Sequence, residues 1–289
     1  MARTDASAAD NVSALRRGFE VLGCIAAAGR PLANAEISQQ TGIPRPTVTR
    51  LIATLVALGQ VRAAPGSERF ELAAGVVRLA EAFLGGLDVR AAARPHLVAL
   101  AEATGASSLL GVRDGAEMLV IEAARSRSAV ASLGADIGTR MSLSSSALGR
   151  AWLAGVDAPQ REAVLGPLRR ARSRGAGAVD ANLDKALADA RTTGHALSLG
   201  EWHASINAVA VPIRTPGGEV ISINCGGPSF LMPVERLREV AIPAVVRAAA
   251  ALAHDIGGVA GLALTAVDAI NPPARRSPRR RITTMETNP

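Results

Sequence analysis

The stretch from Pro31 to Leu58 constrains the fold most, because it reads as two short helices joined by a tight turn. Arg45 precedes Pro46, and a residue before proline is disfavoured in helical conformation. Arg45 is therefore predicted at the helix cap and Pro46 at the first helical position. Apolar residues then recur at spacings of three and four, which indicates one buried helical face. They are Val48, Leu51, Ile52, Leu55 and Leu58.

The opposite face of this second helix is small, polar and cationic, so no bulky side chain keeps it out of a groove. Ile37 anchors the preceding short helix, and Thr41-Gly42 makes the turn. This order matches the helix-turn-helix, whose second helix enters the major groove of duplex DNA. An ordinary core hairpin of two helices is the alternative for this window alone. The candidate DNA-binding residues are Arg45, Pro46, Thr47, Thr49 and Arg50.

The flanking residues favour a winged helix. A helix is predicted over Ser13–Ala28, and residues 59–72 predict a strand, a turn at Ala64-Pro65-Gly66 and a second strand. Arg62 and Arg69 lie near the base of this hairpin and join the candidate set as contacts to the DNA backbone. Residues 11–72 are therefore predicted to form a winged helix-turn-helix domain.

Several runs of sequence carry a family resemblance. LRRGFEVLG, ISQQTGIPRPTVTRLIATLVALGQV and RFELAAGVVRLAEAFL closely resemble the N-terminal half of IclR-type bacterial transcription regulators. Leu97–Gly105, Ala147–Ala154 and the pair INAVAVPI and ISINCGGPS resemble that family's effector domain. The resemblance spans about residues 13–254, and it rests on the order and spacing of the motifs together. It implies an α+β protein in which a linker helix joins the winged helix-turn-helix to a GAF-like effector domain, an antiparallel sheet covered by helices.

Composition limits the partners. The 289 residues are enough for two domains, and only 2% are aromatic, with no tyrosine. Proteins that bind RNA or single strands stack bases on aromatic rings, so duplex DNA suits this chain better. The net charge of +7 lies in residues 11–72, with seven arginines against four glutamates, and in Arg275–Pro289, with five against one. Basic segments attract phosphate, although a solvated, disordered end is the other interpretation of the tail.

The sequence indicates a cytoplasmic protein without cofactor or metal. Its two cysteines lie far apart, which indicates a reducing compartment. The N-terminus lacks an apolar stretch, so no signal peptide is predicted, and no apolar run reaches the roughly 18 residues that span a membrane. His195, His203 and Cys225 are the plausible metal ligands, but their spacing matches no metal motif.

The rest of the chain divides by composition. Residues 1–10 and the basic tail 257–289 are predicted to be disordered. Residues 73–88 are predicted as a linker helix, whose apolar stripe either contacts a second copy or packs on the wing. Residues 89–256 are predicted as an effector-binding and oligomerisation domain. Its expected strands are Ser107–Arg113, Glu117–Ala123, Ala129–Leu133, Ala196–Leu199, Ile206–Ile213 and Val220–Cys225. Its expected helices are 89–105, one from Ser144–Ser146, Gln160–Ser173, Leu183–Thr193 and Glu235–His254, with a loop at Gly138–Leu143 and a joining segment at Gly175–Val179.

Three stretches are candidates for ligand binding. Ser144–Leu148 begins a helix, where free N–H groups favour an anion, although plain N-capping by serine explains the same residues. In Ile221–Gly227, strand alternation separates the isoleucines from Ser222 and Asn224, and Asn224 is either satisfied by a loop or available to a ligand. Glu201–Asn207 gathers several polar groups and a tryptophan.

The family resemblance implies that the helix start and the sheet surface bind a small organic acid or aromatic metabolite. Ser142 departs from the usual proline of the family, and Arg150 replaces its usual lysine, so the chemistry of the pocket differs in detail. The effector-binding residues carried over are Leu143, Ser145, Ser146, Ala147, Asn207, Asn224 and Ser229.

Two functions are weighed from these observations. The first is a ligand-responsive transcription regulator that binds a palindromic duplex site as a homodimer or a dimer of dimers. The second is a carboxylate-processing enzyme with an incidental helical hairpin, but the chain has no G-x-S-x-G elbow and no G-x-x-x-x-G-K loop. We therefore expect a regulator and not an enzyme. Repression or activation, and the identity of the effector, stay open.

Overall fold

The computed structural model describes residues 12–127, 134–173 and 182–261 of the chain. The chain divides after Leu87 into two compact units. The predicted disordered N-terminus, the strand over Ala129–Leu133, the joining segment Gly175–Val179 and the arginine-rich part of the tail lie outside the described residues.

The first unit is a small helical domain with a two-stranded hairpin. Backbone hydrogen bonds in both directions between Leu32 and Phe70, at 2.9 and 2.8 Å, hold the hairpin against the residues before the second helix. Its core is built from apolar residues of the first three helices, including Val21, Ile37 and Val48. The order of elements confirms the winged helix. The elements are α1 (Ser13–Ala28), α2 (Asn34–Thr41), α3 (Arg45–Ala57), β1 (Val61–Ala63), β2 (Phe70–Leu72) and α4 (Gly75–Gly85).

Helix α3 begins and ends one residue earlier than predicted. Pro44, with extended ψ of 135°, is the N-cap. Its carbonyl accepts the first helical hydrogen bonds from Thr47 and Val48, so Arg45 lies inside the helix. Because α3 ends at Ala57, Leu58 leaves the buried face and is 64% exposed, which corrects its assignment to the core.

The second unit is an antiparallel sheet between helices. The described strands follow the order β5-β4-β3-β8-β7-β6, and β9 also pairs with β7. Helix α6 packs on one face of this sheet, and α5 and α10 pack on the other, which confirms the α+β class. The helices are α5 (Asp88–Thr104), α6 (Ala147–Gly155), α7 (Ala158–Ser173), α8 (Leu183–Thr193), α9 (Val234–Arg236) and α10 (Ile242–Asp255). The strands are β3 (Ser107–Asp114), β4 (Glu117–Arg125), β5 (Arg140–Ser142), β6 (Ala196–Leu199), β7 (Ile206–Arg214), β8 (Val220–Pro228) and β9 (Val259–Ala260).

Three predictions about this unit were wrong in detail. The predicted loop Gly138–Leu143 contains β5, which is too short to show alternation in sequence. The start of the predicted disordered tail contains β9, which pairs with Ile213 and Arg214 of β7. A π-helical turn at Leu237–Ala241 interrupts the predicted last helix. Pro243 follows this turn and has no N–H to donate into a regular helical ladder.

Helix α6 is buried along its whole length and positions one end of the site. A Cβ atom on Gly149 would lie 2.4 Å from the Cα atom of Leu143, so only glycine allows this approach. At the other end, Arg161 donates to the carbonyls of Leu153 at 2.8 Å and Val156 at 2.7 Å. Both ends of α6 are therefore held by close contacts with the residues before and after it.

Candidate DNA-binding surface and effector site

The exposed face of α3 presents two arginines without acidic partners. Arg45 and Arg50 are exposed, and neither forms an ion pair within the part of the chain that the structure describes. Thr49 is also exposed, but its Oγ1 donates to the Arg45 carbonyl at 3.1 Å and accepts from Asn34 Nδ2 at 3.2 Å. The bond from Asn34 connects α2 to α3. Neither bond involves the two guanidinium groups.

The two wing arginines predicted to contact DNA are engaged within the first unit. Arg62 pairs with Glu71 across the hairpin at 2.8 Å. Arg69 pairs with Glu36 of α2 at 2.7 Å, and Glu36 also contacts Arg30 at 2.9 Å. Arg69 therefore ties the wing to α2, whatever it contacts in a complex.

The Glu36 carboxylate is stabilised in its charged form. The backbone N–H of Ala33 donates to it at 2.9 Å. This hydrogen bond, then the hydrogen bond from Arg30, holds the pKa of Glu36 below its ordinary value. A lowered folded-state pKa means that the carboxylate stabilises the fold above the unfolded-state pKa, and that this contribution is lost as pH falls through the folded-state value.

Glu36→Gln is therefore expected to lower the melting temperature of the chain at neutral pH and to lose that effect in acid. The difference from wild type should shrink as pH falls below about 4.3, the ordinary glutamate pKa. Thermal unfolding followed by circular dichroism between about pH 7 and about pH 3 measures this. Glu68→Gln is the matched control, because Glu68 is exposed and forms no ion pair in the described chain. A constant difference at every pH would contradict the role given to the Glu36 charge.

In the second unit, a cavity of about 10 Å³ lies where α6 meets β6, β7 and β8. It combines apolar side chains with a few polar groups, as small-molecule sites do. Three predicted effector residues line it, namely Ser146, Ala147 and Asn224. The other lining residues are Met141, Ser198, Trp202, Ile206 and Ala208.

The two polar members of the predicted set make internal hydrogen bonds. Ser146 Oγ accepts from the Gly149 N–H at 3.0 Å and donates to the Ser142 carbonyl at 2.7 Å, so Ser146 is the N-cap of α6. Asn224 is 3% exposed, and its Oδ1 accepts from the Leu109 N–H at 3.0 Å. Its Nδ2 forms no hydrogen bond with the residues that the structure describes.

The structure does not bring the other four predicted effector residues to this cavity. Asn207 alternates with Ile206 and Ala208 on β7, so its side chain lies on the opposite face of the sheet, where Nδ2 donates to the Met232 carbonyl at 3.0 Å. The other three residues also lie outside the cavity. Leu143 is buried against Gly149, Ser145 is half-buried before α6, and Ser229 is half-buried after β8.

Some of the cavity-lining residues that the prediction did not include could be identified from the sequence. Alternation along the predicted strands places Ser198 of β6 on the face that Ile206 and Ala208 of β7 share. Trp202 lies within the third candidate stretch but was not assigned to the pocket. No signal marks Met141, because its strand β5 is only three residues long.

Arg150 replaces the lysine that is usual at this position in the family that the chain resembles. It is 2% exposed and donates from Nε to the Ser144 carbonyl at 2.9 Å. Its Nη1 donates to the Leu197 carbonyl at 2.7 Å and contacts Glu201 Oε1 at 3.1 Å. A lysine has a single nitrogen and cannot reproduce this fork. Arg150 therefore connects the start of α6 to the edge strand β6 and the segment after it.

Four histidines and Cys225 lie in the second unit. Among the residues that the structure describes, no group of three or more His, Cys, Asp or Glu side chains is arranged to hold a metal ion. Cys225 is buried, and burial raises the pKa of its thiol to about 11. Within the same ranges, no helix is long and apolar enough to cross a membrane.

A winged helix with a cationic face on α3, followed by a sheet domain that encloses a mixed polar and apolar cavity, defines a ligand-responsive, DNA-binding transcription regulator. The chain belongs to the IclR family of bacterial transcriptional regulators. The IclR helix-turn-helix domain matches residues 14–65, and the bacterial transcriptional regulator IclR C-terminal domain matches residues 81–257. The earlier resemblance is thus confirmed, and the protein is a regulator and not an enzyme.

Relatives match over most of their length. The HTH-type transcriptional regulator TsaQ1/TsaQ2 of Comamonas testosteroni is 31% identical over 244 residues, which cover 81% of this chain and 84% of the relative. The crystal structure of an IclR family transcriptional regulator from Brucella abortus superposes with a TM-score of 0.72 at 34% identity, covering 86% of this chain and 94% of that one. An IclR homolog from Microbacterium hydrocarbonoxydans, solved in complex with 4-hydroxybenzoate, shares the fold with a TM-score of 0.66 at 24% identity, covering 85% and 99% of the two chains.

Proposed function

We propose that α3 reads a duplex operator in the major groove. The observation that carries the proposal is the pair of exposed arginines on α3, Arg45 and Arg50, without acidic partners in the described chain. Arginine recognises guanine edges and phosphates alike. The side chains on the same face, Pro46, Thr47 and Thr49, are small, so they do not prevent the helix from entering the groove. Arg62 and Arg69 contribute to phosphate contacts from the wing, at the cost of sharing their charge with Glu71 and Glu36.

The operator is palindromic, because the protein binds as a homodimer. Helix α4 has no buried residue, and Leu79 and Phe83 on it are 64% and 50% exposed. Helix α1 likewise leaves Leu15 and Phe19 exposed at 62% and 63%. Such apolar surface on a small domain favours contact with a second copy over free exposure. Two copies related by a two-fold axis present two copies of α3 to two half-sites. A dimer of dimers extends the same arrangement.

The effector is a small organic acid or aromatic metabolite bound at the N-terminus of α6. That helix end offers backbone N–H groups and a positive dipole to an anion. Ser146, Ala147 and Asn224 provide the polar side, and Trp202 and Ile206 provide the apolar side. Leu143, Ser145, Asn207 and Ser229 support this site from outside the cavity.

Effector binding changes transcription by shifting the population of arrangements that bind DNA. A ligand shifts such an equilibrium only through its different affinities for the two states. The protein works in the cytoplasm, where a bacterial operator is found. Whether the shift relieves repression or supports activation depends on where the operator lies relative to the promoter.

Binding of the purified full-length protein to the intergenic DNA beside its own gene tests the proposal. We expect specific binding in the presence of excess competitor DNA, with affinity that falls as salt rises. Adding 4-hydroxybenzoate and other small aromatic or aliphatic acids should then change that affinity. If a selection from random DNA recovers no preferred sequence either, the assignment of α3 as the reading helix is wrong.

A further inference from the structure

The effector cavity is nearly closed in this structure. Its volume of about 10 Å³ is close to the minimum that holds a single water molecule. Sites for small organic ligands have volumes of several hundred Å³, roughly 300–1,000. If the site binds an effector as proposed above, one of its walls must move.

Of the residues that line the cavity, Trp202 can move with the least disruption of the sheet and of α6. Most of the other lining residues are buried in the sheet or in α6, as Ala147, Ile206 and Ala208 show. Trp202 is half-buried and belongs to the short segment between β6 and β7. That segment begins at Gly200, whose φ of +78° lies in the left-handed region that favours glycine. Trp202 also has the largest side chain in the lining, and its indole is similar in size to a benzoate ring system.

The neighbouring residue, Glu201, fastens this segment to the buried guanidinium of Arg150. Glu201 Oε1 lies 3.1 Å from Arg150 Nη1, and Glu201 Oε2 accepts a hydrogen bond from the Leu199 N–H. Arg150 is itself held by the carbonyls of Ser144 and Leu197. Its side chain is 2% exposed, whereas that of Glu201 is 31% exposed, so Glu201 is the partner that can leave.

Glu201 and Trp202 separate the closed cavity from an outer cleft. Glu201, Arg150 and Leu199 line a cleft of about 790 Å³ beside β6, which is the last strand in the order of the described sheet. Trp202 lines the small inner cavity, together with Ser198. Adjacent residues of one segment therefore face two different spaces, and displacement of that segment would join them.

We propose that Trp202 closes the effector site and that the Arg150–Glu201 ion pair is the positioning contact that keeps it closed. This inference rests on the proposed effector function of the cavity. Opening the pair withdraws the indole and connects the inner cavity to the outer cleft, which then becomes the access route. The indole is replaced by a ligand of similar size and flatness, so the site selects planar aromatic molecules.

Tryptophan fluorescence tests directly whether the Arg150–Glu201 ion pair keeps Trp202 in place, because the chain has only Trp152 and Trp202. In full-length protein carrying Trp152→Phe, Trp202 is the sole emitter, and acrylamide quenching reports its exposure. Adding Glu201→Gln should raise the quenching constant about three-fold or more and move the emission to longer wavelength, because the segment opens locally. Glu219→Gln is the matched control, since Glu219 is exposed in the β7–β8 turn, at the opposite end of β7 from Trp202, and forms no ion pair in the described chain.

Equal quenching in the Glu201→Gln and Glu219→Gln proteins would overturn the proposal. Arg150→Lys, which keeps the charge but not the fork, should give an intermediate quenching constant. Circular dichroism confirms that each variant is folded. If Glu201→Gln were unfolded, Glu201→Asp would replace it, and unchanged quenching in that variant would be equally decisive. No effector or DNA enters the measurement, so its failure is distinct from failure of the proposed effector or operator.

Discussion

Arg50→Ala is expected to weaken operator binding by about 1–3 kcal/mol, which is roughly 5- to 150-fold in affinity. The physical reason is that Arg50 lies on the exposed face of α3 with no acidic partner in the described chain. Its guanidinium would therefore contact DNA without first breaking an internal ion pair. Arg62→Ala should have a smaller effect, because Arg62 already shares its charge with Glu71 at 2.8 Å.

Affinity measured over a series of salt concentrations separates the two ways in which Arg50 can act. A base contact gives relaxed specificity at one operator position and leaves the salt dependence unchanged. A phosphate contact weakens binding to every sequence and lowers the salt slope by about one. Arg238→Ala is the matched control, since Arg238 is exposed, forms no ion pair in the described ranges and lies in the second unit. Unchanged affinity and slope in Arg50→Ala would remove Arg50 from the interface.

The helices of both units follow closely from sequence because strong local signals determine them. Helix α8 has the predicted bounds, Leu183–Thr193, since Gly194 with φ of +81° ends it and apolar residues line one face. The strands expected over Ser107–Arg113 and Glu117–Ala123 are β3 and β4, and the tight turn at Asp114-Gly115, a typical hairpin sequence, joins them. Where local signals conflict or are short, the predictions fail. Two prolines two residues apart leave the cap of α3 ambiguous, and β5 is too short to show a period.

The candidate sites are harder to predict from sequence than the helices, because their chemistry depends on contacts between residues that are distant in sequence. The sequence marks Arg50 and Arg69 alike as cations near the DNA-binding helix. Only the fold shows that Arg69 is paired with Glu36, a residue 33 positions earlier. Strand alternation places Asn224 on the face of the sheet that lines the cavity, but Leu109, whose N–H donates to Asn224 Oδ1, lies 115 positions earlier in the chain. The sequence therefore identified three residues of the cavity wall, Ser146, Ala147 and Asn224, but not which of their polar groups are already hydrogen-bonded.

Removing the exposed apolar side chains of α1 and α4 is expected to have the largest effect of any substitution in the first unit. A chain with four phenylalanines leaves Phe19 and Phe83 at 63% and 50% exposure. The combined variant Phe19→Asp, Phe83→Asp should be folded, because neither side chain belongs to the core of its own unit. It should also be monomeric, since aspartate in an apolar dimer contact loses its hydration without a partner. Sedimentation velocity measures the change in mass.

Loss of the dimer should lower affinity for the full palindrome by about 100-fold or more, because the second half-site no longer binds intramolecularly. Affinity for an isolated half-site should stay at the wild-type value, since α3 itself is unaltered. Phe230→Asp controls for the added charge, because Phe230 is 76% exposed but lies in the second unit. A double variant that remained dimeric and bound the palindrome normally would refute α1 and α4 as the dimer surface. A variant that also lost half-site binding would show that these helices support α3 itself.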